Sequence, residues 1–417
     1  MPNFNQIAGS GVRRIGTAVW VFLGLWPGAV MAQDVATGAE AGIEMGSQQG
    51  LEAWVTGFRV RALAAGVSAA TFDAEMRGAV FDPKAVERDR NQNEFTKTIW
   101  DYLDTAVSED RVALGRKALA ANRDLLERIE AEYGVDKEVV VAVWGLESAY
   151  GTFRGNLPVI SSLATLAYDA RRGAYFEGEL IAALKIVQGG HVDEFRGSWA
   201  GASGHTQFMP SSWESFAVDF DGDGRRDLWS DDPGDALAST ANYLRHFGWK
   251  KGALWGLEVR LPEGFDYDQT TEAVKKPVAE WAALGVVPAA GGEVPDHGMA
   301  SVLLPGGSRG AAFLIFSNFQ VIEKYNTADA YVIGIGHLAD RLKGGPPIMA
   351  AWPRDLRALT LEERRELQVR LGAAGFDPGG VDGRMGPKTI AAVKAFQKAR
   401  GLVPDGYPSL DILNRLP

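Results

Sequence analysis

From about Trp54 to Phe247, apolar residues recur every three or four positions. They lie in Ala-, Leu- and Val-rich segments broken by short Gly or Asp turns, the spacing of helices that bury one face. Val112 to Tyr133 and Val139 to Leu146 are the clearest examples. From Ala253 to about Phe316 the pattern changes. Gly and Pro become dense, and β-branched residues gather in short runs (Leu257 to Leu261, Val286-Val287, Ser301 to Leu304), which predicts two or three short strands. Asn318 to Leu342 returns to helical spacing, and Gly344-Gly345-Pro346-Pro347 then punctuates the chain. Residues 346–356 read as a linker and 357–417 as a separate small module. Internal repeats and low-complexity tracts are absent from the sequence.

The first residues carry an address. Arg13-Arg14 precede an apolar run from Ile15 through Trp26, and Val30-Met31-Ala32 follows as a small-residue cleavage pattern. The run is short for a membrane span, which needs about 20 apolar residues. Residues 1–32 are therefore expected to be a signal peptide, and 33–345 the first folded domain. Gln33 stands where a lipoprotein would carry Cys, and no later apolar stretch is long enough to span a bilayer. The expected product is soluble, secreted and periplasmic.

Composition narrows the chemistry. Of 417 residues, 46% are hydrophobic and 23% charged, as in an ordinary globular chain of two or three domains. Lys and Arg number 43 against 53 Asp and Glu, a net charge of −10 that speaks against a nucleic-acid partner. With no Cys, disulfides, thiolate metal sites and a thiol nucleophile are excluded. The five His are scattered, and no HExxH or Ser/His/Asp set can be drawn from them.

Two stretches carry specific chemistry. Val139 to Val143 leads into Trp144-Gly145-Leu146-Glu147-Ser148-Ala149-Tyr150-Gly151, placing one Glu at the end of a hydrophobic helix. Desolvation there raises a carboxyl pKa toward the value a general acid needs, although a Glu near a helix end is usually a solvated surface residue. The second stretch runs from Ser198 to Ser212 (SWAGASGHTQFMPSS), where small residues let backbone approach a ligand and Ser and Gln supply neutral donors and acceptors. Alone, it reads equally as a tight turn between helices.

Together, GLESAYG, SWAGASGHTQFMPSSW and Asn318 to Leu342 (NFQVIEKYNTADAYVIGIGHLADRL) resemble the membrane-bound lytic murein transglycosylase B family of the lysozyme-like superfamily. The resemblance implies cleavage of the β-1,4 bond between N-acetylmuramic acid and N-acetylglucosamine without water, leaving a 1,6-anhydromuramoyl end. It implies Glu147 as sole acid/base, with Ser198 and Gln207 beside it. Tyr325, Asn326 and Tyr331 match the family's residues on the opposite wall, and Tyr243 another substrate-facing tyrosine. Each of these tyrosines reads equally as core with its hydroxyl satisfied. Ser203 stands where the family's best-known member carries Met, and His205 reads as a neutral lining residue.

Asp219-Phe220-Asp221-Gly222-Asp223-Gly224-Arg225 places carboxylates at loop positions 1, 3 and 5, Gly at 6 and a backbone carbonyl, that of Arg225, at 7. That is the start of an EF-hand loop and points to a structural calcium ion, with no cofactor required for the chemistry. Ser230 replaces the usual Glu at position 12, so Asp235 is the expected closing ligand, with Asp227 as the alternative. An Asp/Gly surface turn without metal is the plain reading of the same residues.

The last module, from Leu367 through Gly375-Phe376 to the run DGRMGPKT…AFQKARGL, resembles a three-helix peptidoglycan-binding domain, its Ile390, Val393 and Phe396 forming a core stripe. The fold expected overall is mainly α (α+β): a lysozyme-like catalytic domain with a small β-containing insertion, plus that three-helix domain. The expected partners are peptidoglycan glycan strands, with wall-synthesis or division machinery beside them. The competing readings are a water-using muramidase of the same fold and a non-catalytic wall-binding protein.

Overall fold

The computed structural model describes residues 46–90 and 97–417; the expected signal peptide lies outside the described residues. Helices begin where a Ser or Thr can take up a free backbone N–H. Ser47, Ser68, Thr98 and Ser108 accept from Gly50, Thr71, Asp101 and Arg111, opening helices Gln48–Ala64, Ala69–Arg77, Ile99–Ala106 and Glu109–Ala121.

The helical region is organised around two apolar clusters. In one, Leu51, Phe58 and Phe72 pack with Leu163, Phe176 and Leu180 from helices Val159–Tyr168 and Gly173–Gln188. In the other, helix Lys137–Ser148 runs through the middle with Val139 to Val143 all buried. Helix Asp329–Leu342 lies along it, contributing Val332, Ile333, Ile335 and Leu338. A helix hydrophobic nearly all round is a core helix, and it carries whatever stands in its last turn into the interior.

Strands β1 (Leu157–Pro158) and β2 (Arg196–Gly197) pair inside the helical region. The later strands are β3 (Gly256–Arg260), β4 (Lys276–Pro277), β5 (Val287–Pro288), β6 (Met299–Leu303) and β7 (Ala312–Ile315). They form one antiparallel sheet in the order β4-β6-β7-β3-β5, with Leu314 facing both Leu257 and Val302. Five strands stand where two or three were expected. The sequence pattern missed β4, too short to show a period, and β7, buried on both faces and so without alternation. Trp281, Val302, Leu314 and Phe316 form the core of this unit.

The C-terminal module is three helices, Leu361–Ala373, Pro387–Ala399 and Leu410–Arg415, closed over Leu367, Leu371, Val393, Phe396 and Ile412. A capping box between Thr360 and Glu363 starts the first of them. Ile390, expected in the core stripe, is half-buried, and Thr389 and Ala392 take the inner positions. Lys394 is buried against the sheet unit, its Nζ donating to the Tyr267 and Thr270 carbonyls and to Thr270 Oγ1. Residues 346–356 do not hang free: Met349 and Ala350 are hydrogen-bonded to β3, and Trp352 packs on Trp100.

Candidate active site

Glu147 occupies the last turn of the core helix and is only 6% exposed. The expectation of a shielded carboxyl therefore prevails over that of a solvated one. Burial pushes its pKa up to about 8, against the pull of one hydrogen bond, in which the Tyr331 hydroxyl donates to Oε1 at 2.5 Å. Those are the two influences on it; among the described residues no second carboxylate acts on it.

The chain leaves the helix through Ala149, Tyr150 and Gly151, at φ 50°, 58° and 83°. Two non-glycine residues in the left-handed region cost roughly 1 kcal/mol or more each, so surrounding contacts must hold them there. The Ala149 and Tyr150 amides return to the carbonyls of Gly145 and Trp144 (3.1 and 3.2 Å). The Tyr150 ring folds back onto the helix, and its hydroxyl donates to the Arg111 carbonyl at 2.8 Å. A Cβ on Gly145 would stand 2.7 Å from that ring, so this glycine makes the fold-back sterically allowed.

The second motif is tied to the same turn. Ser148 Oγ donates to the His205 carbonyl at 2.5 Å and accepts from the Gly151 amide at 2.9 Å. His205 is buried, and Trp144 donates to its Nδ1 (3.1 Å), which makes Nε2–H the donor to the Ser230 carbonyl (2.8 Å). Burial lowers its pKa, so the ring is a neutral structural bridge rather than an acid. Gln207, at φ 51°, donates through Nε2 to the carbonyls of Arg154 (3.0 Å) and Gly204 (2.9 Å). Its Oε1, the Thr206 hydroxyl and Asn326 Nδ2 are buried without a partner. Buried polar atoms of this kind ordinarily find partners, and a ligand supplies them in a binding cleft.

An aromatic chain joins that motif to the acid. Tyr325 donates to the Thr206 carbonyl at 2.7 Å, its ring stacks on Tyr331 (6.5 Å between centroids) and meets Tyr243 edge-on at 5.0 Å. The Tyr243 hydroxyl donates to the Lys324 carbonyl. Burial and then the Glu147 charge raise the pKa values of Tyr325 and Tyr331, so both stay neutral donors. Thus Glu147, Gln207, Tyr243, Tyr325 and Tyr331 belong to one contiguous group, with Asn326 next to Tyr325 in the chain. Ser198 sits within its own turn, its amide donating to the Ala202 carbonyl at 2.7 Å.

Sequence reasoning missed Tyr102. Its ring lies against Gly334, where a Cβ would come within 3.1 Å of it; the same Cβ would stand 3.3 Å from the Leu146 side chain, so Gly334 borders both. Burial and the charge of Glu147 raise its pKa as well. Helix Ile99–Ala106 carries no motif, so only proximity in the folded chain reveals it.

At the loop, carboxylate oxygens of Asp219, Asp221 and Asp223 lie within 4.8 Å of one another on the surface. Asp219 accepts from the amides of Gly222 (2.7 Å) and Gly224 (2.9 Å), and Asp223 from that of Arg225 (2.7 Å). Three hard carboxylate oxygens facing one point fit a calcium ion. Asp235, expected to close the cage, stands outside this trio. It is buried, its two oxygens accepting from the amides of Phe220 (2.7 Å) and Asp227 (2.8 Å). Asp227 in turn accepts from Trp229 and Ser230. The Arg225 side chain reaches Asp193 at 3.3 Å.

Residues 50–340 match the transglycosylase SLT domain, and residues 360–416 match a peptidoglycan binding domain. The chain is 35% identical to membrane-bound lytic murein transglycosylase B of Escherichia coli over 246 residues, 57% of this chain and 65% of that one. It is similar to SltB3 from Pseudomonas aeruginosa, solved in complex with NAG-anhNAM-pentapeptide, at a TM-score of 0.85 and 49% identity over 88% of this chain and 99% of that one. The lytic transglycosylase Slt35 of Escherichia coli, solved in complex with calcium, is similar at a TM-score of 0.61 and 29% identity over 69% of this chain and 92% of that one. With the SLT pattern covering most of its length, the chain belongs to the SLT-domain transglycosylase family, joined here to a peptidoglycan-binding domain.

Proposed function

We propose that the protein is a lytic transglycosylase of peptidoglycan, cleaving the bond between N-acetylmuramic acid and N-acetylglucosamine with Glu147 as its only acid/base. The observation that carries this is a single buried carboxyl, raised to about 8 and hydrogen-bonded by one tyrosine, with no acidic companion acting on it. Near neutral pH it is protonated, the state a general acid needs. It gives that proton to the glycosidic oxygen as the bond from C1 breaks. The resulting carboxylate, held by the Tyr331 hydroxyl, takes the proton of the muramoyl C6 hydroxyl as that oxygen bonds to C1. No water is consumed: the glycosidic C1–O bond breaks, the C1–O6 bond forms, and the atoms of the chain are shared between two products. Glycosidases that use water or a covalent intermediate need a second carboxylate at a set separation. An internal nucleophile replaces it and gains from proximity.

The unpartnered Gln207 Oε1 and Asn326 Nδ2 suit the amides and hydroxyls of the sugars, and Ser198, Tyr243 and Tyr325 are the further residues assigned to sugar contact. Over the 88% of the chain that is covered, 49% of residues are identical to SltB3, which was solved in complex with NAG-anhNAM-pentapeptide. Asp219, Asp221, Asp223 and the Arg225 carbonyl would hold a calcium ion, whose contribution is to neutralise the loop; Slt35 was solved with calcium. A wall substrate supports a periplasmic location; among the described residues no helix is long and apolar enough to cross a membrane. Mass spectrometry of digested sacculi decides the reaction. Anhydro products, one water lighter than hydrolysed ones, are expected from the native chain and none from Glu147→Gln. Hydrated products would make it a muramidase, and unchanged cleavage by Glu147→Gln would remove the acid from its role.

A further inference from the structure

Residues 348–355 grip the catalytic domain at several points. The amides of Met349 and Ala350 donate to the two carboxylate oxygens of Glu258 on β3, at 2.8 and 2.7 Å. Trp352 lies against Gly306 and Gly310, where a Cβ would come within 3.0 and 3.1 Å of its ring. It also packs on Trp100, with 6.1 Å between ring centroids. Arg354 holds Asp104 through two N–H···O bonds of 2.7 and 2.9 Å, and Asp355 is held the same way by Arg309 at 2.7 and 3.1 Å.

Trp100 and Asp104 are four residues apart and share one face of helix Ile99–Ala106. Tyr102 lies against Gly334, which also borders Leu146, the residue before Glu147. Eight residues make about two turns, too few for a helix to persist unaided, so packing on both faces is what fixes Tyr102.

We propose that residues 348–355 are a positioning strap for the acid site: by gripping Trp100 and Asp104, Trp352 and Arg354 seat Tyr102 against Gly334, on the helix that carries Tyr331 and packs along the helix of Glu147. The proposal rests on Glu147 being the acid. The strap acts through Tyr102; of the polar groups near Glu147, the Tyr331 hydroxyl donates to it, its charge also acts on Tyr102 and Tyr325, and Arg111 acts on Tyr102. Loosening the strap lets water reach the carboxyl and moves its titration back toward the ordinary range. A plain tether behaves differently: it raises local concentration on an insoluble polymer and leaves turnover of a small soluble substrate alone.

The test uses the full chain on a short soluble glycan fragment, with Trp352→Ala, Arg354→Ala and the swapped pair Arg354→Asp with Asp104→Arg. Trp352→Ala is expected to lower kcat on the order of tenfold with little change in KM, as for a slightly displaced catalytic group. Its alkaline limb should move to lower pH. Arg354→Ala should do the same more weakly, since that pair is about half exposed, and the swap should restore it. A second readout needs no turnover. The stability difference between each chain and the same chain carrying Glu147→Gln, followed across pH, reports the pKa of Glu147. A lower pKa in the strap variants supports the strap even if the native chain cleaves no glycan, in which case only the proposed function falls. Should Trp352→Ala not fold, the surface variant Arg354→Ala carries the same readout. Unchanged kcat together with unchanged Glu147 titration overturns the strap.

Discussion

Tyr331 places its hydroxyl 2.5 Å from Oε1 of Glu147, with both side chains buried. This hydrogen bond favours the carboxylate, while burial favours the acid, and burial wins. The balance suits a group that must give a proton first and hold a negative charge afterwards.

Activity should therefore fall as pH rises through about 8, where Glu147 loses the proton it has to donate. Tyr331→Phe removes the one influence that lowers this pKa, so the alkaline limb of kcat/KM should move to higher pH. The carboxylate of the second step also loses its donor, and kcat should drop about ten- to a hundredfold, the worth of a hydrogen bond to a charged group. A limb that stays in place after the substitution would contradict the assignment.

Glu147→Gln should stabilise the protein. The folded pKa, about 8, lies above the carboxyl's ordinary value of 4.5, so stability present at acid pH is lost as pH rises between the two. The stability gained by the substitution should be near zero at pH 4.5 and grow to a few kcal/mol at pH 8, about 1.4 kcal/mol per pKa unit, with Tm rising in step. Calorimetry at the two pH values checks it; a pH-independent gain would show that Glu147 does not titrate as described.

Gly145→Ala tests the turn behind the acid. In an exposed helix this change gains up to about 1 kcal/mol. Here the new Cβ would stand 2.7 Å from the Tyr150 ring. A loss of roughly 1–3 kcal/mol in urea unfolding is expected, with kcat reduced because Glu147 is two residues away. Stabilisation instead would mean that Tyr150 is free to move aside.

Calcium should raise Tm, and Asp221→Asn should abolish most of that rise while raising Tm slightly in chelator, where it relieves the repulsion. Three acidic side chains within 4.8 Å repel one another until a cation joins them. Equal melting curves with and without calcium would leave the loop as a plain Asp/Gly turn.

A second carboxylate group gives a further pH-dependent outcome. Glu272, Glu323 and Asp329 crowd together, and burial followed by mutual repulsion raises Glu323 and Asp329 to about 7. Raised carboxyls stabilise when protonated, so this contribution is lost as pH rises through about 7. Glu323→Gln should raise Tm at pH 8 and leave it unchanged at pH 4.5, a difference readable by thermal unfolding.

Much of the site was legible because chemistry and spacing were local. The valine run before Glu147 already says that the helix enters the core, and SWAGASGHTQF already shows small residues next to unpaired polar groups. Asp219, Asp221 and Asp223 form their trio because alternate loop residues point one way. What stayed hidden was longer in range. Asp235 could be named as a ligand by order along the chain, but that its oxygens accept from the amides of Phe220 and Asp227 shows only in the fold. Strand β7 hid because a strand buried on both faces shows no alternation.

By itself, the sequence determined the helical character, the two-part organisation, the motif residues and the absence of thiol chemistry, since each depends on residue type and near spacing. Only the tertiary structure decided that Glu147 is shielded, that Tyr331 reaches it from 184 positions away, and that Trp352 packs on Trp100 while Tyr102 lies against Gly334. Burial and long-range contact are properties of the packed chain: a carboxyl acquires its pKa from neighbours that the order of residues does not place beside it.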